Sequence, residues 1–135
     1  MANEAILVQQ LEDRLFQVTV ADGTAIPKGT ILQLSSDPNT ATASSGDNQT
    51  FIGIAAVEKV ADDGQTEIPV WRKGVFALKA TTAAITLGDY CKVAGANLVA
   101  AADDAGVAGP NEIVGMALET VGNDEVFQCL VGAGA

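Results

Sequence analysis

The chain repeats itself. Residues 51–79, FIGIAAVEKVADDGQTEIPVWRKGVFALK, read as strand, acidic turn, strand, glycine, strand, and most of that grammar returns at 113–132, IVGMALETVGNDEVFQCLVG. Each copy has an apolar residue before a glycine (Ile52-Gly53, Val114-Gly115) and a small-residue strand that reaches a glutamate (Glu58, Glu119). An acidic Gly/Asn turn follows, then a Glu-led strand ending on Gly74 or Gly132. Upstream, Ile26-Pro27-Lys28-Gly29 and the strand after it line up with Ile85-Thr86-Leu87-Gly88 and the strand after that. Two copies do not make a solenoid, which needs about three stacked units. Two similar β halves closing on each other, with few free edges, predict a small barrel or sandwich with pseudo-twofold symmetry. The expected fold is therefore all-β. It is a small β-barrel at 15–135 built from two similar halves (about 26–79 and 85–132), behind an extended N-terminal arm at 1–14.

Size and charge bound the function. A chain of 135 residues is the length of one domain. It buries roughly two-thirds of its unfolded surface, enough for a core without staples. Six residues are aromatic, so Val, Ile, Leu and Ala must fill that core. The net charge is −10, and no basic residue follows Lys92. Nucleic-acid binding needs clustered Lys and Arg and is not expected, and anionic membrane surfaces are disfavoured for the same reason. No apolar run approaches a membrane span, and the N-terminus lacks the basic and apolar regions of a signal peptide, so synthesis in a cytosol is expected. In that reducing setting Cys91 and Cys129 are expected as buried thiols rather than a disulfide.

Along the chain, Ile6, Leu7 and Val8 form an apolar centre in a polar N-terminal segment. That is the pattern of a docking arm and equally of an edge strand on the protein's own barrel. Residues 35–50 hold no apolar side chain larger than Ala and predict an exposed loop or a polar hairpin. Pro69 cannot donate to a ladder, which calls for an edge or a bulge in strand 67–72. Trp71, Arg72 and Lys73 place a large aromatic beside two cations, the chemistry of interface hot spots. The competing reading packs Trp71 in the core or over a barrel mouth, with both cations solvated.

Catalytic supply is missing. With no histidine, Ser-His or Cys-His activation is impossible, and no metal site is expected. Asp62-Asp63-Gly64 and Asp103-Asp104-Ala105-Gly106 lack the alternating ligands and distal Glu of a calcium loop and read as turns. Glu58 and Glu119, as repeat-related carboxylates, read as solvated strand ends rather than an acid–base pair. Neither an enzyme nor a cofactor is expected.

The order Val18-Thr19-Val20, Ala25-Ile26-Pro27-Lys28-Gly29, Ile52-Gly53-Ile54-Ala55, Ile68-Pro69-Val70, Gly74-Val75-Phe76-Ala77-Leu78, Ile85-Thr86-Leu87-Gly88-Asp89 and Val114-Gly115-Met116-Ala117-Leu118-Glu119 resembles the tailed-phage capsid decoration (head cement) proteins. The resemblance runs over about 15–132, and departs from shorter members at the 35–50 loop. It implies a small β-barrel that forms homotrimers, sits on the exterior of the expanded head and clamps the major capsid protein. It also implies that the N-terminal arm, here Ile6, Leu7 and Val8, reaches the capsid. The alternative is a virion surface module for host-surface or carbohydrate adhesion, for which Trp71 and Tyr90 are the candidate aromatics.

Overall fold

The computed structural model describes residues 3–10, 15–46, 49–81, 83–102 and 110–132. The ends of the expected arm (1–2, 11–14), positions 47–48 of the polar loop, the turn at 103–106 and the tail at 133–135 lie outside the described residues. Among those described, the fold is all-β. Its strands are β1 (Ile6–Gln10), β2 (Phe16–Thr19), β3 (Ile31–Leu34), β4 (Ala41–Ala43), β5 (Phe51–Ala55), β6 (Glu67–Trp71), β7 (Gly74–Ala80), β8 (Tyr90–Gly95), β9 (Leu98–Ala101), β10 (Ile113–Ala117) and β11 (Val126–Val131), with one 3-10 turn at Pro110–Glu112.

The strands form two sheets of the same topology. The first runs β2-β6-β5-β3-β4 and closes where Thr19 meets Thr40 in a parallel bridge, with the Thr19 N–H donating to the Asn39 carbonyl at 2.9 Å. The second runs β7-β11-β10-β8-β9 and closes through a parallel β7–β9 pairing. Each half thus forms its own five-stranded ring, and the halves do not close on one another as the sequence suggested. The strand partners divide the chain between Trp71 and Gly74, so β7, placed by the sequence reading at the end of the first repeat, opens the second. β1 joins the second sheet, antiparallel to β7.

The duplication reaches single residues. Phe16↔Val70 and Val18↔Ile68 in the first ring match Phe76↔Cys129 and Leu78↔Phe127 in the second. Ile31↔Ile54 and Ile54↔Trp71 match Tyr90↔Met116 and Met116↔Leu130. Even the irregularity repeats: the β3–β5 ladder slips between Leu32 and Gln33, and the β8–β10 ladder slips at Ile113/Gly115. The turns repeat too. Gly29 and Gly88 sit at φ 90° and 88°, where a side chain is strained. Asn39 and Asn97 (φ 52° and 56°), and Asp62 and Asp124 (61° and 57°), occupy matching left-handed positions, which Asn and Asp tolerate best.

One correspondence shifts. The Glu58 carboxylate accepts the Lys28 N–H at 3.1 Å, and the Thr120 hydroxyl accepts the Leu87 N–H at 2.9 Å. The structural partner of Glu58 is therefore Thr120, and Glu119 instead takes the Gln128 N–H. A carboxylate or a hydroxyl oxygen serves equally as the acceptor at this position.

Alternation sets the cores. Val18, Val20, Ile26, Leu32, Ala41, Ala55, Ile68 and Val70 fill the first ring. Leu78, Ala80, Ile85, Cys91, Val99, Ala117, Phe127 and Cys129 hold the corresponding places in the second. Both cysteines are free and buried. The hydrogen bond with Cys91, and then burial, push the Cys129 thiol well above its usual range. Beyond Ala55↔Val70 the Ala56 N–H still donates to the Pro69 carbonyl at 3.1 Å, and Pro69, without an N–H, returns no bond, so the β5–β6 ladder ends there.

The rings are joined face to end. On the outside of the first ring, Ile31, Ile54 and Trp71 form a cross-strand row that belongs to the second ring's core cluster. There it meets Phe76, Val93, Val114 and Val131; the Trp71 and Phe76 rings lie 5.5 Å apart at 56°. Asn97, at the β8–β9 turn, ties the joint. Its Oδ1 accepts the Ile31 N–H at 2.8 Å, and its N–H donates to the Ser44 hydroxyl at 3.0 Å.

Candidate interaction surface

Among the described residues β1 pairs only with β7 (Ile6↔Ala77, Leu7↔Phe76, then a bulge at Val8, then Gln9↔Val75), and none of their strands lies on its other edge. Of the two sequence readings of this segment, the edge strand on its own barrel is the one seen. Alternation sends Leu7 inward against the core, while Ile6 (66% exposed) and Val8 (48%) face out. Just before the strand, the Ala5 N–H donates to the Gly29 carbonyl at 2.6 Å. The segment therefore holds both rings. A Cβ on Gly29 would collide with the Ala5 carbonyl, which is a second reason for glycine there.

Trp71, Arg72 and Lys73 do not form one patch. Trp71 is buried in the joint, with the Lys28 ammonium 5.7 Å from its ring centre. Arg72 is exposed, and its guanidinium donates to the Ile52 carbonyl at 2.7 Å and lies 6.0 Å from the Phe51 ring. Lys73 is exposed. Between Trp71 and β1 lies an open cleft of about 510 Å³ lined by Ala5, Ile6, Leu7, Lys28, Glu58 and Trp71. It brings Trp71 together with Ala5, Ile6 and Leu7, which their sequence separation hides.

Lys59 is the charged residue that sequence reading missed. Its side chain is fully enclosed, and its ammonium donates to Asp22 (carbonyl 3.0 Å, Oδ1 3.2 Å), the Val60 carbonyl (2.9 Å) and Asp63 Oδ1 (2.9 Å). Desolvation pulls its pKa down, but the hydrogen bonds and charges of Asp63 and Asp22 outweigh that and hold it raised. Asp63 is held below the usual carboxylate range, first by Lys59 and then by the Gln65 N–H. The matching position in the second ring is Val121. The cluster locks the turn that the sequence marked as acidic; it is a structural tie rather than an open site. Among the described residues no group of three or more His, Cys, Asp or Glu is placed to hold a metal ion. No helix among them is long and apolar enough to cross a membrane.

No protein-family model matches the chain, and no curated protein sequence does. Among solved structures, the chain is similar to the head fiber gp8.5 N base in bacteriophage phi29. The TM-score is 0.52 at 13% identity, over 87% of this chain and 92% of that one. The two share a fold along nearly their full lengths.

Proposed function

We propose that this chain is a non-catalytic structural protein of a tailed-phage virion. In this reading it binds the outside of the expanded head as a trimer and stabilises it. The observation that carries the reading is the fold shared, end to end, with the base of a phage head fiber. The sequence resemblance to capsid decoration proteins points the same way. The partners are the major capsid protein and further copies of the chain, and the place is the head exterior, after synthesis in the host cytoplasm.

The open edge of β1 supplies a mechanism. An extended capsid segment pairing with it would gain main-chain hydrogen bonds at little cost in sequence, and Ile6 and Val8 would supply the apolar contact. Three such contacts per trimer act together through effective concentration, so each can be weak. The test is co-sedimentation with expanded heads of the parent phage. Because Ile6 and Val8 point outward, Ile6→Asp with Val8→Asp leaves the core intact and is expected to abolish pelleting with heads at an unchanged melting temperature. A double variant that saturates heads like the unaltered protein would overturn the role of β1, and an unaltered protein that stays in the supernatant would overturn the whole reading.

The cleft beside Trp71 favours a second reading, a surface adhesion module. Specific retention on a glycan array, without head binding, would select it.

A further inference from the structure

The joint between the two rings uses two surfaces, and each has an unused counterpart. The row Ile31–Ile54–Trp71 on the first ring corresponds, residue by residue, to Tyr90–Met116–Leu130 on the second. The first row is buried in the joint. The second is not: Tyr90 is 46% exposed, and Met116 and Leu130 are half-buried. The same holds for the ring ends. Phe76, Val93 and Val114 of the second ring are buried under the first ring's row. Of their counterparts, Phe16 and Leu34 are open, at 40% and 38% exposed, and Ile52 is half-buried against its own ring's core.

We propose that copies of this chain join head to tail: the Tyr90–Met116–Leu130 row of one copy packs over the Phe16–Leu34–Ile52 end of the next, repeating between chains the joint made within each. The inference takes up the self-association in the reading above and names its faces. It is tested on free protein, so failure to bind heads leaves it standing, and its own failure leaves head binding to be judged separately.

The occupant is a second copy because the chain already contains the bound form of both surfaces. The matching turn residue is in place as well. Asn97 accepts the Ile31 N–H in the internal joint, and Asn39, its exposed left-handed counterpart, stands where the next copy's Tyr90 N–H would arrive. Two positions depart: Arg72 holds the position of Val131 and is tied down by the Ile52 carbonyl and the Phe51 ring, and Ala102 holds that of Ser44, so the Asn97–Ser44 hydrogen bond has no counterpart. A contact between two different faces is heterologous, so it propagates until the rotation closes a ring. A net charge of −10 per copy opposes the approach, so added salt should strengthen it.

Mass measurement by sedimentation velocity and native mass spectrometry, across concentration and salt, is the test. The unaltered protein is expected as a closed oligomer. Tyr90→Asp spoils one face and Phe16→Asp the other, and each variant alone is expected at monomer mass with its melting transition retained. An equimolar mixture of the two is expected to form a dimer and nothing larger, since one sound joint remains. Should Phe16→Asp melt early, Leu34→Asp spoils the same end. The proposal is overturned by an unaltered protein that stays monomeric at every concentration and salt, by folded variants that assemble like the unaltered protein, or by a mixture that stays monomeric.

Discussion

Phe16 and Phe76 occupy the same position in the two rings, one open and one covered, and truncating each in turn measures what the internal joint contributes. Phe76 is fully enclosed, faces Trp71 and pairs with Leu7 and Cys129. Phe76→Ala removes a buried ring and leaves a cavity that the surrounding strands cannot fill, at a cost of about 3–5 kcal/mol. Phe16 is 40% exposed. Full burial of such a side chain is worth about 1.5–3 kcal/mol, so roughly three-fifths of it gives about 1–2 kcal/mol, with no closed cavity to add. The expected gap is therefore about 1–4 kcal/mol, against a total stability of about 5–15 kcal/mol for a domain. Urea titration at dilutions where the protein is monomeric reads both costs, followed by far-UV circular dichroism and by the fluorescence of Trp71, the chain's one tryptophan. Phe76→Ala is expected to lower the melting temperature by on the order of 10 °C, and Phe16→Ala by about a third of that. Equal costs for the two variants would refute the claim that one ring end is sealed and the other is not.

The Lys59 cluster predicts acid sensitivity. Because the folded pKa of Asp63 is depressed, its contribution is present above the ordinary carboxylate value of about 3.9 and is lost as pH falls through the lower folded value. Lys59, being raised, keeps its contribution below its ordinary value of about 10.4 and loses it only as pH climbs through the higher one. Melting curves should therefore fall more steeply with acid for the unaltered protein than for Lys59→Met, and matching slopes would contradict the tie. Gly88→Ala meets open space and should cost only the left-handed strain, about 1–2 kcal/mol, whereas Gly29→Ala also strikes the Ala5 carbonyl. Hydrogen exchange at β1 amides should accelerate in Gly29→Ala alone. Cys91 and Cys129 should resist a thiol reagent at mildly alkaline pH until denaturant is added; prompt labelling of native protein would contradict their burial.

Much of the fold was legible because the turns are spelled in residues with few substitutes. Gly29 and Gly88 mark the same left-handed corner, and the glycines after Ile52 and Val114 mark the same slipped ladder. The division between the repeats was not legible. Gly74 reads in sequence as the end of the Glu-led strand, so β7, which it opens, reads as a continuation, and only cross-strand register ties Phe76 and Leu78 to Phe16 and Val18. Closure of each ring was equally hidden, since it rests on a parallel contact at Thr19/Thr40 and a short β7–β9 pairing, neither of which leaves a pattern in sequence. At the surface, Ile6, Leu7 and Val8 were readable as an apolar centre but not which of them faces inward, and Trp71 was ambiguous because two cations follow it. Lys59 drew no reading from sequence, because matching Glu58 to Glu119 sets it against Thr120; only the paired bridges set it against the apolar Val121.

β1 also fixes an order of events. It is made before the other described strands, yet the strand it pairs with, Gly74–Ala80, is made only after the whole first ring has been synthesised. Until then Leu7 has no shelter and the edge meant for β7 is bare. The leading segment must wait, loose, while the first ring assembles behind it, and its docking becomes a late, long-range step of the kind that slows folding and exposes a chain to wrong partners.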